Sequence, residues 1–395
     1  MDFRQLLNPD IQKFIKDHEH ENVKELALKK LPDQTWNAPL ILDQIKVRQR
    51  AKTKSKNLYD TDCFIFPKSN VFEQTSSCAC AAYKSSLTHG QSFIDLTAGG
   101  GVDAYYISKR FLSGSLIEHD AETAELLSHN FNHLKTNCTI TIENTDAAQA
   151  LGSISPVDFV FIDPARRENN KRGIYDLASC SPNIVELLPT LKSKTKRLMI
   201  KTSPILDIEQ AVQILGHVNQ VHVVQWNNEC KEVLYLLDFT QEIDRDDLII
   251  TSVNLDNNGQ AIQKFSYRLS DEKRSECAYT DPQKYIYEPG AAFLKAGGFK
   301  SIALFHDVGK LHPHSHLYTS DHIHPDFPGK RYEVMEIIPA KTKKLPVSKA
   351  DLALRNFPGT VDNLRKKLKL SDGGEYRIFA TTLKDDSKKL IICRK

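Results

Sequence analysis

The chain has 395 residues, of which 40% are hydrophobic and 26% charged, and its formal net charge is +3. This composition is typical of a folded protein of two or three domains and excludes a disordered or low-complexity chain. Because the sequence has neither a run of about eighteen apolar residues nor a signal-like N-terminus, we expect no membrane span and a cytoplasmic location, with free thiols.

The charge is unevenly distributed along the chain. Residues 330–395 contain 17 Lys and Arg against 8 Asp and Glu, whereas the rest contains 36 against 42. A basic terminal segment is typical of a surface that binds polyanions, although an ordinary solvated surface has the same composition.

Helical periodicity predicts a helical N-terminal region over residues 1–85, where Ile11, Phe14 and Ile15 form one apolar stripe. From residue 86 to 242, short apolar runs alternate with amphipathic segments, which is typical of a parallel sheet with crossover helices. The predicted strands are 92–96, 115–118, 139–143, 158–162, 197–201, 221–226 and 232–239.

The last two of these strands are joined by five residues, which is too short for a crossover helix, so we predict an antiparallel hairpin. Farther along the chain, residues 244–270 predict a small β segment. Residues 285–319 and 332–395 predict two small α+β units. The fold class is therefore α/β, with a Rossmann-like sheet between a helical N-terminal region and small C-terminal α+β domains.

The most informative motif follows the first predicted strand, where residues 93–103 read Phe-Ile-Asp-Leu-Thr-Ala-Gly-Gly-Gly-Val-Asp. Gly99 and Gly101 allow a tight turn and a close approach to a ligand. Asp95 can meet a cationic group, such as the α-ammonium of S-adenosylmethionine. A pyrophosphate would favour a G-x-G-x-x-G run, and Ala104 is a permitted variant of its last position, so these glycines also allow NAD.

Three more carboxylates follow the next strands in order. Glu118 ends the second strand at a spacing that suits the ribose diol of either cofactor. Asp146 follows the third strand, where it can accept a hydrogen bond from an adenine amino group. Asp163 begins Asp-Pro-Ala-Arg at the carboxyl edge of the sheet, where ligands bind. Each could instead be only a helix cap or a turn, but four in order favour one ligand site.

These motifs resemble the class I S-adenosylmethionine-dependent methyltransferases over residues 72–239. Within that family the chain is similar to a bacterial group with a ferredoxin-like unit and a C-terminal THUMP-like domain. The supporting segments are Phe-Glu-Gln-Thr-Ser-Ser at 72–77, Tyr-Glu-Pro-Gly-Ala-Ala at 287–292, Arg-Asn-Phe-Pro at 355–358 and Phe-Ala-Thr-Thr at 379–382.

The resemblance implies four parts. They are an N-terminal helical region (1–85), the methyltransferase domain (86–242), linker strands with the ferredoxin-like unit (243–328), and a basic THUMP-like domain (329–395). It also implies S-adenosyl-L-methionine as the cofactor, with no metal. Because THUMP domains elsewhere bind tRNA, it implies an RNA partner, either tRNA or rRNA, and we infer no membrane and no obligate protein partner.

The resemblance further implies the site residues. The cofactor-binding set is Asp95, Gly99, Gly101, Glu118 and Asp146, to which we add Thr97 of the same turn. Asp163 faces the transferred methyl, and Pro164 and Arg166 complete the catalytic set. The predicted substrate-binding residues are Arg167, Lys201, Arg365, Lys366, Lys367 and Lys369.

Asp163 is the predicted general base or hydrogen-bond partner of the nucleophile. The motif lacks the aromatic residue that usually follows in enzymes acting on exocyclic base amines, which disfavours adenine N6. Methylation at pyrimidine C5 needs a nucleophilic cysteine, but residues 201–204 contain none. Cys180 precedes them by one helix, so we expect it to be structural. A ring nitrogen and a ribose oxygen both stay open as targets.

Two other classes of function also stay open. Residues 306–310 read His-Asp-Val-Gly-Lys, which matches HD phosphohydrolases, and five histidines follow by residue 324. A phosphohydrolase of this type requires a helical domain and an upstream histidine ligand. His312, His314 and His316 could instead lie on one face of a strand, where they could bind a metal ion. The second alternative is an RNA-binding protein without catalytic activity. A basic helix around Leu364 and Leu368 would bind RNA both in such a protein and in an RNA methyltransferase.

Overall fold

A computed structural model describes residues 3–166, 177–242, 244–342 and 345–395. The chain forms two compact units. The first contains residues 1–227, 231–243 and 255–262, and the second contains residues 228–230, 244–254 and 263–395. Along the described ranges, no helix combines the length and apolarity needed to cross a bilayer.

The N-terminal region is helical, as predicted, and Asn8, Asn22 and Asn37 cap successive helices through their side chains. Ile11, Ile41 and Ile45 pack in its apolar core. After a 3₁₀ turn at Phe3–Leu7, its helices are α1 (Pro9–His18), α2 (Val23–Leu26), α3 (Ala38–Lys54), α4 (Lys56–Tyr59), α5 (Ser69–Gln74) and α6 (Cys78–Ser86).

Strands and helices then alternate, and the predicted strands agree with the structure to within three residues at each end. The elements are β1 (Ser92–Asp95), α7 (Val102–Ser108), β2 (Ser113–Glu118), α8 (Ala121–His133), β3 (Thr139–Asn144), α9 (Ala147–Ser153), β4 (Val157–Ile162), β5 (Ala165–Arg166), β6 (Cys180–Ser181), α10 (Ile184–Lys194), β7 (Thr195–Thr202), α11 (Ile208–Leu215), β8 (Val218–Trp226) and β9 (Glu229–Asp238).

The sheet of the first unit has the order β3-β2-β1-β4-β7-β9-β8. β1, β2, β3, β4 and β7 are parallel, and β9 runs antiparallel to β7. The predicted hairpin of β8 and β9 is present, with Asn227 and Asn228 in the left-handed region. The chain moves outward from β1 to β3 and returns at β4, which opens a crevice at the carboxyl edge between β1 and β4.

The remaining elements are β10 (Ile249–Leu255), β11 (Ala261–Arg268), α12 (Leu269–Arg274), β12 (Tyr285–Pro289), α13 (Ala291–Ala296), α14 (Phe299–Phe305), β13 (Gly309–Lys310), β14 (Tyr318–Ser320), β15 (Gly329–Pro339), β16 (Asp351–Arg355), α15 (Val361–Leu368), β17 (Tyr376–Thr382) and β18 (Lys388–Arg394). In the second unit, a sheet has the order β13-β14-β12-β15-β18-β17-β16. The two predicted α+β units therefore share one sheet, because β15 pairs with both β12 and β18.

Candidate functional site

The turn after β1 is shaped by two glycines. Gly99 has φ of +50° and Gly101 has φ of +77°, a region in which a side chain is strained. A Cβ on Gly101 would lie 2.4 Å from Leu127 Cδ1, so packing also requires a glycine there. The side chain of Asp95 accepts a hydrogen bond from the Thr97 amide at 2.9 Å. These features fix the backbone conformation of the turn at the carboxyl end of β1.

Glu118 ties the second strand to this turn. It is 7% exposed, and one of its oxygens accepts the Gly99 amide at 2.9 Å while the other accepts the Asp120 amide at 2.8 Å. Asp146 is the N-cap of α9. Its Oδ1 accepts hydrogen bonds from the amides of Ala148 and Gln149, both at 2.9 Å. Both carboxylates nevertheless line the same cavity as the turn.

Asp163 is held from two sides. Its amide donates to Thr97 Oγ1 at 2.7 Å, and its carboxylate forms an ion pair with the ammonium of Lys201 on β7. Lys201 is 9% exposed. Although burial lowers it, the pKa of Lys201 is raised overall by Asp163 and Asp103. The predicted substrate-binding lysine is thus the partner of the predicted base.

A second buried network was missed by the sequence analysis. Lys84 of α6 is fully buried, and its Nζ lies 2.6 Å from Glu232 Oε1, 3.1 Å from Asp103 Oδ1 and 2.9 Å from Ser76 Oγ. Ser76 also donates to Asp103 Oδ2 at 2.8 Å. The network joins the segment before α6 to the start of α7. A single lysine in the small-residue helix 78–86 was the available signal, but its partner is 148 positions away.

These residues surround one large cavity of about 1530 Å³ in the first unit. Its wall includes the predicted residues Asp95, Thr97, Gly99, Gly101, Glu118, Asp146, Asp163, Pro164 and Lys201. Ser76, Asp103 and Glu232 of the buried network also line it, as do Phe66 and Pro67 from the N-terminal region. The structure therefore brings together residues that are separated by more than a hundred positions in sequence.

The cavity fits a positively charged cofactor. Burial raises the pKa of Asp95 well above its usual range, and the nearby carboxylates of Asp103, Asp163 and Glu118 raise it further, although the Thr97 amide opposes this. A cationic ligand would relieve that repulsion and favour the ionised carboxylate. S-adenosylmethionine, which carries an ammonium and a sulfonium, matches this requirement, whereas a pyrophosphate would add negative charge.

The remaining predicted residues near the Asp-Pro motif are placed differently. The backbone of Arg166 belongs to β5 and pairs with Cys180 of β6, and Arg167 lies outside the described residues. This pairing brings Cys180 to the cavity wall, where it is half-buried. The expectation that Cys180 is structural stays a prediction.

The predicted basic residues of the C-terminal part lie in the second unit, on or just after α15, and none of them is among the described residues that line the cavity. Lys366, Lys367 and Lys369 are exposed, while Leu364 and Leu368 face the core, as the amphipathic pattern predicted. Arg365 lies 2.6 Å from Asp372 in an ion pair. These basic side chains are therefore not part of the described wall of the cavity.

The histidine-rich segment does not have the form that the phosphohydrolase alternative requires. His306 follows the short helix α14, and Gly309 and Lys310 form the strand β13. The suggestion of a shared strand face for His312, His314 and His316 was wrong, because residues 313–315 form a turn that begins at Pro313. Within the described ranges, no three His, Cys, Asp or Glu side chains are grouped to hold a metal ion.

Known proteins resemble each part of the chain. Residues 68–180 match the family described as Conserved hypothetical protein 95, residues 285–328 match a ferredoxin-like domain, and residues 329–395 match a THUMP domain-like family.

Two Mycobacterium tuberculosis proteins, from strains CDC 1551 / Oshkosh and ATCC 25618 / H37Rv, are each 21% identical over 88% of this chain and 93% of their own length. Both are named uncharacterized S-adenosylmethionine-dependent methyltransferases. A crystal structure from Porphyromonas gingivalis W83, of a protein provisionally named a methyltransferase, is 30% identical and superposes with a TM-score of 0.87. The match covers 100% of this chain and 99% of that one.

The sheet order, the glycine turn and the cationic preference of the cavity agree with these matches. The cofactor is S-adenosylmethionine. The chain belongs to the class I S-adenosylmethionine-dependent methyltransferase family whose members also carry a ferredoxin-like and a THUMP-like domain.

Proposed function

We propose that this methyltransferase methylates a base of a structured RNA, either tRNA or rRNA. The observation that carries the proposal is the size and course of the cavity. Its volume of about 1530 Å³ exceeds the roughly 300–1,000 Å³ of a small-ligand site. It continues from the glycine turn to Asp163 and to the wall at residues 179–183. A flat group such as an unstacked base can enter beside the cofactor.

The C-terminal part supports a polyanionic substrate. Residues 329–395 match a THUMP domain-like family, and residues 330–395 carry more than twice as many basic as acidic residues. Cations spread over a surface bind phosphates without reading sequence, which suits a domain that positions a folded RNA. We propose that Lys366, Lys367 and Lys369 contribute, and that Arg365 does so less because Asp372 already pairs with it.

We propose that the cofactor-binding set keeps the roles expected from the sequence, namely Asp95, Thr97, Gly99, Gly101, Glu118 and Asp146. Bound S-adenosylmethionine supplies the methyl group from its sulfonium. Asp163 is the proposed acceptor of a hydrogen bond or proton from the nucleophilic base atom. Lys201, predicted to bind substrate, is now proposed to orient Asp163 through their ion pair. We propose that Pro164 and Arg166 belong to the catalytic set and that Arg167 binds the substrate, as expected from the sequence.

We also propose that the four-part division at residues 85, 242 and 328 is functional. Residues 1–85 and 86–242 would form the catalytic part, because both contribute side chains to the cavity wall. Residues 243–328 and 329–395 would present the RNA, although they share one sheet.

The test is a methyl-transfer assay with radiolabelled S-adenosylmethionine on total tRNA and rRNA, combined with calorimetric titration of the cofactor. We expect Asp163→Ala to lower transfer by roughly 100-fold or more and to leave cofactor affinity within a few-fold. Retained transfer would remove Asp163 from the mechanism. If the wild-type protein binds the cofactor but methylates neither RNA class, the RNA substrate is wrong.

A further inference from the structure

A buried carboxylate organises one face of the sheet in the second unit. Glu288 of β12 is 7% exposed and accepts hydrogen bonds from two arginines and a tyrosine. Arg355 Nη2 lies 2.8 Å from Oε1, Arg377 Nη2 lies 3.0 and 2.9 Å from the two oxygens, and Tyr332 Oη lies 3.2 Å from Oε2. Charge-assisted bonds of this kind fix the orientation of a guanidinium.

The contacts of Arg377 leave part of its guanidinium without a partner. Glu288 occupies its Nη2, and its Nε is buried with no hydrogen-bond acceptor among the described residues. The guanidinium also lies over the ring of Phe379, 5.3 Å from the centroid. A guanidinium has five N–H donors in a rigid fork, so this one is preorganised but only partly satisfied.

A groove of about 500 Å³ opens beside Arg377. Its lining residues are Lys330, Arg331, Tyr332, Asp351, Arg377 and Lys395. Lys330 stands opposite Glu288 in the antiparallel pair of β12 and β15, and Asp351 stands opposite Arg377 in the parallel pair of β16 and β17. Of these side chains, four are cationic and one is acidic, and the acid is already bound by Lys395 Nζ at 2.7 Å.

Cations held close together by the sheet repel one another unless an anion binds between them. The rigid guanidinium of Arg377 and the exposed side chain of Lys330, which lie on the same face of the sheet, match the oxygens of a phosphate group. Arg331 contributes to the rim only, because neighbouring residues of a strand point to opposite faces and its guanidinium lies over the ring of Tyr285. A phosphodiester backbone presents such groups in succession, which suits an open groove better than a closed pocket. The groove is separate from the predicted basic surface on α15, because none of its described lining residues belongs to that helix.

We propose that this groove binds backbone phosphates of the RNA substrate and is the main phosphate-binding site of the second unit. The proposal rests on the proposed RNA substrate. It assigns Lys330 and Arg377 as phosphate-binding residues, with Glu288 as the residue that positions Arg377. Contacts of this type supply affinity and orientation but no sequence preference.

The experiment measures binding of labelled total tRNA and rRNA to the full-length protein at several NaCl concentrations. The test variant is Lys330→Glu, and the milder variant is Lys330→Gln. The matched control is Lys13→Glu, which makes the same charge change at an exposed residue of α1. Circular dichroism and calorimetric titration of the cofactor verify that each variant folds.

We expect the groove variants to bind RNA at least roughly tenfold more weakly and to lower the slope of log affinity against log salt by about one per lost contact. The control should stay within about threefold. If the wild-type protein binds and methylates RNA but the groove variants match the control, the groove is wrong and the proposed function stands. If the wild-type protein neither binds nor methylates RNA, both are wrong.

Discussion

Asp95 is the carboxylate whose charge depends most on what enters the cavity. Its side chain is 1% exposed, and burial together with three nearby carboxylates raises its pKa well above the usual range. Without a cation, protonation of Asp95 is therefore easier than that of an ordinary carboxyl group, while a bound ammonium or sulfonium would favour the ionised form. We therefore expect cofactor binding to be linked to the release of a proton.

We expect the affinity for S-adenosylmethionine to rise with pH until the pKa of Asp95 is passed. In the absence of cofactor, the free energy of unfolding should fall over the same range, because a carboxylate with a raised folded-state pKa stabilises the fold only while protonated. Calorimetry in buffers of different ionisation enthalpy measures the released proton. The Asp95→Asn variant should bind weakly without proton release, and a flat pH profile in the wild-type protein would contradict the linkage.

The Asp163–Lys201 pair gives a second prediction for single residues. Lys201→Met leaves the Asp163 carboxylate without its ion-pair partner, so the orientation of the carboxylate should be lost. We expect kcat to fall by roughly tenfold or more. Cofactor affinity should change little.

Lys201→Arg, which keeps the positive charge, should recover part of that activity. An unchanged kcat in Lys201→Met would mean that the pair has only a structural role.

Sequence patterns predicted that these carboxylates lie at one edge of the sheet, but they did not indicate the partners of the carboxylates. Asp95, Glu118 and Asp146 follow apolar strands, so their placement at the carboxyl edge depends only on local pattern and strand direction. Lys84 and Glu232 meet across 148 positions, and Lys201 meets Asp163 across 38. Such pairs depend on tertiary packing, which a single sequence does not reveal.

The turn between β1 and α7 is the element on which the cofactor site depends. Gly101 precedes α7 in a left-handed conformation, and a Cβ there would also lie 2.9 Å from Phe131 Cε2. Substitution would therefore strain the backbone and force the side chains of Leu127 and Phe131 on α8 to shift. The cost should appear both in stability and in cofactor affinity.

We expect Gly101→Ala to destabilise the first unit by roughly 2–4 kcal/mol, from a left-handed alanine and an overpacked contact. It should also abolish measurable cofactor binding. The matched control is Gly152→Ala in α9, where an added Cβ meets nothing within 4 Å. That change should be neutral or stabilise by up to about 1 kcal/mol. Chemical denaturation measures both, and equal effects would contradict the assigned role of Gly101.

Secondary-structure elements with a strongly periodic apolar pattern were predicted from the sequence, whereas elements with an interrupted pattern and the order of the strands were not. The strands that flank the site were predicted because apolar runs and short turns define them. Helix α10 was expected between Cys180 and the fifth strand, but its bounds were not predicted because Pro189 interrupts its apolar pattern. The insertion of β9 between β7 and β8 could not be read from the hairpin, since either strand can pair with β7.

Across the whole molecule, charge separates the two proposed binding tasks. The first unit has a cavity rich in carboxylates, whereas residues 330–395 carry the basic surplus. The surplus was visible in the sequence, but the groove around Arg377 was not. It is formed by residues of β15, β16 and β17 together with Lys395, and their alignment comes from the sheet.

These two tasks should respond differently to salt. Cofactor binding takes place in a largely buried cavity and exchanges few counterions, so its affinity should change by less than about threefold between low and moderate NaCl. RNA binding releases counterions from the phosphates, so its affinity should fall about 10³-fold over the same range if six phosphates are contacted. Parallel titrations of the same protein preparation measure both. If the RNA affinity does not depend on salt, the basic surplus of residues 330–395 is only a solvated surface. If cofactor binding weakens steeply with salt, the cofactor binds outside the buried cavity.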